Sequence, residues 1–452
     1  MAYLKDHKQS GKKSGSHSGK NLNVGVKLVS PSIMVLIPPP YEPDFMINSK
    51  AHSTEPYSAA HDEEFNLISK EVASAKDLLN EIPKSEFHHF MRHFDLLFDL
   101  KKRVSAEYNM SVSTNASLKM YEILGIMRVC TDPIRVFCNA ELPGAFIVAI
   151  NHFVRTRCAA SVNFDWVASS YDPETEEGKS FSVLEDKYGI YAGHRSRWLQ
   201  GPRPNALPAG EDPISGDATD PNVIVVLADA VHARFPPLET VGSGATLYTS
   251  DIGTDVSDNF NEQESKTALL NFGQVLAGIA SLAIGGNFVT KQYTFFSLFN
   301  RSLIAAVSYM FEEFYIMKPQ TSRPANSEIY LIGKKFKGAP DGVIEHWLDL
   351  LAEYRAEGKS PTEGPPLISP ESFAASDTTM LHATTIIHKN QQVKFLKEAS
   401  TLYRQIKSES PGNPDFRKLG RALDRTSKDA QDKWLIENPI KPVPEAYQLV
   451  KF

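Results

Sequence analysis

Cysteine is scarce in this chain: Cys130, Cys138 and Cys158 are the only three in 452 residues. An odd number without CxxC spacing excludes a disulfide framework and a zinc ribbon, and reads as buried thiols in a reducing compartment. Long apolar runs are missing as well. PSIMVLIPPP at Pro31–Pro40 is broken by proline and falls far short of the ~18 residues a membrane span needs. The first twenty residues carry Lys5, Lys8, Lys12, Lys13 and Lys20 but no apolar h-region, which excludes a secretory signal. A formal charge of −6 rules out a uniformly basic nucleic-acid coat while leaving room for a local basic groove. The dinucleotide fingerprint GxGxxG is absent, which counts against a NAD enzyme. The expectation is a soluble, intracellular protein.

What is present falls into four stretches. Residues 1–60 are rich in Lys, Ser, Gly and Pro, too poor in apolar surface to fold alone, and are expected to form a disordered tail. Residues 61–110 read as a helical collar: EEFNLISKEVASAKDLL repeats apolar side chains at Phe65, Ile68, Val72 and Leu78 or Leu79, and Pro83 separates two helices. Residues 111–338 alternate short β-rich runs with helical ones, the pattern of a doubly wound α/β sheet. Residues 339–452 read as a C-terminal helical module. It comprises the amphipathic DGVIEHWLDLLAEYRAEG, a proline-punctuated loop, and helical stretches near 383–407 and 415–434.

Within the α/β region, the strand-like IRVFCNA runs into ELPGAF and then the helical FIVAINHFV. Strand, tight turn with Pro143 and Gly144, and helix N-terminus make a Rossmann-like nucleotide turn, with an ordinary turn as the competing reading. In GDAT, Asp217 is either an acceptor for an adenine amine or a helix N-cap. TLYTSD delivers Asp251 at a strand end. QESKTALLNFGQVLAGIASLAI follows as a helix with Leu269, Leu270, Leu276, Ile279 and Leu282 toward the sheet. A Gly285-Gly286 turn then opens the strand ending at Lys291, so Asp251 and Lys291 emerge at one edge of neighbouring parallel strands. FYIMKP and SEIYLIGKKF read as an antiparallel hairpin joined by QTSRPAN, with Glu328 at that hairpin. His89 and His93 stand at i, i+4 with no third ligand nearby, a surface helix rather than a metal site, and no metal is expected.

In this order, SLKMYEI, CNAELPGAF, GDAT, TSDIGTDVSDNFNEQE, GGNFVTK and KPQTSRPANSEIYLIGKKF resemble the FtsJ-like family of RNA ribose 2′-O-methyltransferases. The look is closest to its cap-modifying branch in large cytoplasmic DNA viruses, whose DW and RWL motifs are similar to FDWVAS and HRSRWLQG. The resemblance implies a Rossmann-like methyltransferase sheet with a terminal antiparallel hairpin, flanked here by N- and C-terminal helical modules. It implies a catalytic tetrad of Lys119, Asp251, Lys291 and Glu328. It also implies S-adenosylmethionine held by Asn139, Glu141, Pro143, Gly144, Ala145, Phe146 and Asp217. The turn departs from the family's form: Leu142 separates Glu141 from Pro143, and Ala145 replaces a second glycine. Capped mRNA 5′ ends are the implied substrate, capping or RNA polymerase subunits the implied partners, and host cytoplasm and virion the implied setting of a viral member.

Lys291 is the candidate base. Burial, Lys119 and the cofactor's sulfonium favour its neutral form, while Asp251 and Glu328 oppose it. Arg323, Lys334, Lys335 and Lys337 flank the last hairpin, as phosphate contacts or as solvated strand ends. Trp166, Tyr191 and Trp198 serve either as stacking surfaces for a cap purine or as core. The competing class is a catalytically silent subunit that binds capped RNA or a polymerase partner and docks through the C-terminal helices; four intact polar groups weigh against it. Ribosomal RNA methylation is disfavoured by the long flanking modules.

Overall fold

The β-rich runs assemble into a single seven-stranded sheet. In the computed structural model, which describes residues 32–36, 42–45, 59–180, 185–200, 214–253, 260–369, 372, 375–409 and 416–450, the strands are β1 (Ser32–Leu36), β2 (Ile134–Asn139), β3 (Phe164–Ala168), β4 (Ala245–Ser250), β5 (Leu282–Gln292), β6 (Phe311–Lys318) and β7 (Ile329–Phe336). The helices are α1 (Ala59–Asp77), α2 (Lys84–Phe94), α3 (Leu100–Tyr108), α4 (Asn115–Met127), α5 (Ala145–Arg157), α6 (Glu176–Ser180), α7 (Ile190–Gly193), α8 (Pro221–Arg234), α9 (Gln263–Ser281), α10 (Leu298–Tyr309), α11 (Val343–Glu357), α12 (Ala375–Glu409) and α13 (Phe416–Glu437).

The sheet order is β1-β6-β7-β5-β4-β2-β3. β3, β2, β4 and β5 run parallel, and β7, β6 and β1 complete the sheet in antiparallel pairings. β2 and β4 are buried along their whole length, as parallel strands covered on both faces must be. Alternation divides their side chains between two cores. Val136, Leu247 and Val289 face a cluster with α4, α5 and the outer helices. Phe137, Tyr248 and Phe288 face another with α8 to α11. Ser250 pairs with Asn139 on one side and Thr290 on the other, so three carboxyl ends lie side by side.

Three expectations need correction. The tail is not wholly structureless: residues 32–36 form β1, with Ser32 opposite Lys318. SIMVL is rich in residues that suit a pleated surface, and the free edge of β6 supplies the partner it lacks alone. The remaining stretches of residues 1–60, apart from 42–45 and 59–60, lie outside the described residues. β5 begins at Leu282, ahead of Gly285-Gly286, so Leu282 is a strand residue and the glycines form an irregular step within the strand. On α9, Leu269 and Leu270 are half-buried; the enclosed face is built from Ala268, Phe272, Val275, Leu276 and Ile279.

Collar and C-terminal helices pack on one another, α1 on α12 and α2 on α13. Phe94 meets Phe395 at 4.8 Å between ring centroids and Phe90 meets Phe416 at 5.6 Å, both tilted, and His89 meets the same Phe416 edge-on at 5.6 Å. Much of the apolar surface of α12 and α13 is therefore covered by the chain itself, while Ile387 and Ile436 stay exposed. Beyond α13, Tyr121 donates to the Pro439 carbonyl and Asn151 to that of Tyr447. These bonds strap the C-terminal segment to α4 and α5. No helix among the described residues is long and apolar enough to cross a membrane.

Each of these four phenylalanines is buried and worth about 1.5–3 kcal/mol when removed from water. A chain ending at residue 369 is therefore expected to precipitate, or to lose its cooperative thermal transition. A truncated protein with an unchanged transition in scanning calorimetry would contradict the shared core.

Candidate active site

Two buried ion pairs meet at the carboxyl edge of the sheet. The amine of Lys119, on α4, lies 2.6 Å from Glu328 Oε1, just ahead of β7. That of Lys291, within β5, lies 3.2 Å from Asp251 Oδ1, just past β4, and donates to the Asp251 carbonyl at 2.8 Å. Lys119 and Lys291 are each 8 % exposed and Glu328 6 %. All four groups named from the sequence are thus brought together, although 209 positions separate Lys119 from Glu328 (328 − 119).

The elements explain the placement. Thr114 caps α4 in a reciprocal arrangement with Ser117, which fixes the helix start five residues ahead of Lys119. Parallel pairing of β4 and β5 sets Asp251 beside Lys291. The β6–β7 connection is held from within by Lys318, whose amine donates to Asn326 Oδ1 and O and to the Glu328 carbonyl at 3.2, 2.9 and 2.9 Å. Ser322 Oγ donates to Glu328 Oε1 at 3.0 Å.

Burial works against the charged form of every group here. For Lys291 it is outweighed by Asp251, Tyr293 and Glu328, and the amine is held above its ordinary range. The expected balance therefore falls on the side of the carboxylates. Glu328 is likewise penalised by burial, but Lys119, Lys291 and Lys318 hold it well below the usual carboxylate range. Lys318 goes the other way: burial, aided by Lys119 and opposed by Glu328, brings it down to about 8.

Lys318, Ser322 and Tyr330 were not singled out by sequence reasoning. Tyr330 is fully buried and donates to Asp251 Oδ1 at 3.0 Å. The signal was available: Tyr330 follows Glu328 by two positions, and alternate strand residues share a face. A small cavity of about 30 Å³ lies near the pairs, lined among others by Tyr293, Phe295, Lys318, Asn326 and Ser327.

The residues expected to hold a cofactor surround the turn after β2. Asn139 ends the strand, its amide donating to Tyr248 Oη at 3.0 Å. Glu141 turns inward and accepts from Ile147 N at 2.9 Å, and burial, opposed by that bond, pushes its carboxyl up to about 8. Pro143 and Gly144 form the turn proper. Gly144 has φ +103°, and a Cβ there would stand 2.4 Å from Ile190 Cδ1, so the position needs glycine twice over. Ala145 and Phe146 start α5 as buried residues. Asp217 accepts from Thr219 N at 2.8 Å and pairs with Arg355 at 2.9 Å. Gly216 ahead of it presses on the Ser170 backbone, where a Cβ would fall 1.7 Å from the carbonyl oxygen. The GDAT loop is thereby pinned to the segment after β3. Ser169 Oγ, beside the glycine turn, is buried without a hydrogen-bond partner among the described residues. A polar ligand at this edge would satisfy it, so the cradle fits a nucleoside cofactor.

Three tentative RNA contacts are placed elsewhere. Trp198 is fully buried against Tyr191, and Trp166 and Tyr191 are buried too, so these rings belong to the core rather than to a stacking surface. Lys334 and Lys335 stand six and seven positions beyond Glu328, roughly 20 Å along β7 at ~3.3 Å per residue. They pair there with Glu313 and Glu312. β7 runs away from the tetrad, which carries both lysines to the opposite edge of the sheet. Arg323 is exposed on the β6–β7 connection, within electrostatic reach of Asp95 and Lys101.

Known proteins resemble this chain in the same region and beyond it. A family model described as FtsJ-like methyltransferase matches residues 112–336. The "Probable methyltransferase EP424R" of African swine fever virus is 32 % identical over 431 residues, 94 % of each chain. The mouse "Cap-specific mRNA (nucleoside-2′-O-)-methyltransferase 2" is 24 % identical over 411 residues, 88 % of this chain and 48 % of its own.

Removing one partner of a buried ion pair strands the other, at a cost of ~3–5 kcal/mol. Lys119→Met is therefore expected to lower unfolding stability in urea by about that amount. The double variant Lys119→Met/Glu328→Gln should recover much of the loss. A single variant as stable as the native chain would show that Glu328 is neutralised by its other neighbours.

Proposed function

The chain belongs to the FtsJ-like methyltransferase family, and on that premise we propose that it transfers a methyl group from S-adenosylmethionine to a ribose 2′-hydroxyl of RNA, at the 5′ end of capped mRNA. The observation that carries the reading is the pair of buried Lys–carboxylate contacts at one sheet edge, beside a glycine turn that fits an adenosyl group. The names of the viral and mouse relatives support the methyltransferase class, and the mouse name alone supports the capped substrate.

S-adenosylmethionine, when bound, supplies a methyl carbon made electrophilic by its sulfonium. The chain has two tasks: to hold the ribose oxygen in line with that carbon and to remove its proton. Asn139, the Pro143-Gly144 turn and Asp217 would hold the adenosyl moiety. Lys291 accepts the hydroxyl proton as the oxygen–carbon bond forms and the carbon–sulfur bond breaks. Asp251 orients the amine through its carboxylate and carbonyl, and Tyr330 holds that carboxylate in place. Lys119 and Glu328 fix the position of the ribose. Because the carboxylates keep Lys291 protonated at rest, only a small fraction is ready to accept a proton at neutral pH, and the sulfonium's positive charge shifts the balance toward the amine.

Methyl transfer to capped and uncapped RNA, with mapping of the methylated ribose, tests the assignment. Lys291→Ala should lower turnover ~10²–10⁴-fold, the usual worth of a positioned base, with cofactor affinity preserved. Lys291→Arg should fail comparably, since a guanidinium stays protonated. A raised folded-state pKa means that turnover of the native enzyme should climb about tenfold per pH unit through neutrality. An arginine variant with near-native turnover, or a flat profile, would make Lys291 an electrostatic positioner rather than the base.

Gly144→Asp tests the cradle. It should abolish binding of S-adenosylhomocysteine in calorimetry while circular dichroism stays native. Unchanged affinity would move the cofactor site elsewhere.

A further inference from the structure

α4 grips the β6–β7 connection twice. Lys119 meets Glu328 at one end of it. Glu122, three positions further along the helix, meets the other end. Its Oε1 accepts from Gln320 N at 2.7 Å, and its Oε2 accepts from Thr321 N at 3.2 Å and Thr321 Oγ1 at 2.9 Å. Trp434 of α13 donates its indole N–H to the same Oε2 at 3.2 Å. Glu122 is completely buried. Burial pushes its carboxyl up, and these four donors work against that shift.

The C-terminal helices hold the same connection at further points. Gln392 of α12 donates to the Ala325 carbonyl at 2.7 Å, and Gln320 Nε2 donates to Glu437 of α13 at 3.1 Å. A ten-residue connection, 319–328, has no sheet hydrogen bonds of its own to fix it, yet one of its residues must stay within ion-pair distance of α4.

We propose that Glu122, held by Trp434, is a positioning residue for methyl transfer. It anchors the start of the β6–β7 connection so that Glu328, at the end, is presented to Lys119. Two helices beyond the family-matched segment, α12 and α13, thereby support the catalytic edge. The inference rests on the reading that the Lys119–Glu328 pair serves methyl transfer. Glu122 touches no reacting atom in this scheme; it acts through Thr321, Gln320 and the chain that follows.

The test uses the full chain with Glu122→Gln and, independently, Trp434→Phe. An amide at position 122 keeps the shape but must set an N–H against at least one of its donors. Turnover on capped RNA should fall ~10-fold or more, since small misplacement of a reacting group is costly. KM for the cofactor should stay within about twofold. Hydrogen exchange should rise in 319–328 and remain native in β2 and β4. Trp434→Phe should shift both readouts in the same direction by a smaller factor, and it decides the matter if the amide variant does not fold. Native turnover with native exchange in either folded variant overturns the proposal. So does a loss of cofactor affinity that accounts for the whole loss of turnover. If the native chain methylates no RNA, the proposed function fails, and exchange across 319–328 still decides whether Glu122 anchors the connection.

Discussion

The Lys119–Glu328 ion pair is the contact on which the arrangement of this site depends. It joins a helix that precedes the sheet to the hairpin that closes it, and both partners are almost wholly removed from water. Desolvating two charges costs several kcal/mol per ion, so such a pair persists only where geometry and extra hydrogen bonds compensate. Here Ser322 donates to the carboxylate, and Lys318 fastens the backbone that carries it. The pair is thus a poor source of net stability and a strong specifier of position. A small displacement of the hairpin would leave two buried charges unmatched.

Two buried lysines at this edge show how partners decide the sign of a pKa shift. Burial lowers both. Lys291 sits against the Asp251 carboxylate, with Glu328 within electrostatic reach, and ends above its ordinary value. The acceptors of Lys318 are a hydroxyl, an amide oxygen and two backbone carbonyls, and it ends near 8. Neutral acceptors solvate an ammonium but do not match a full negative charge. Lys318 is accordingly suited to holding a loop, while the state of Lys291 is governed by the carboxylates around it. Under the proposed role of Lys291 as base, a protonated resting state is costly in rate.

The helical flanks are structurally continuous with the catalytic region. α1 and α2 from before β2 pack on α12 and α13 from after β7, and the C-terminal pair reaches the β6–β7 connection through Gln392, Trp434 and Glu437. Similarity to the viral relative runs over 94 % of each chain, well past the segment matched by the family model.

Local pattern in the sequence determined the parallel strands, the turn at Pro143-Gly144, the helix after Asp251 and the antiparallel hairpin. Period-two and period-3.6 spacing is written in neighbouring residues, and strand direction follows from the helices between. It also placed Asp251 beside Lys291, because adjacent parallel strands end at one edge. Tertiary structure alone decided the rest. Trp198 reads equally well as a stacking surface or as core until its neighbours are known, and burial settles it. Lys334 and Lys335 look close to Glu328 in sequence, yet an extended strand carries them to the far edge. Strand β1 exists because β6 offers an open edge, and Glu122 matters because Thr321 and Trp434 converge on it from segments some 200 and 300 positions away. Hydrogen bonding, burial and charge balance act through distances in space, and a single chain of letters encodes distance only along itself.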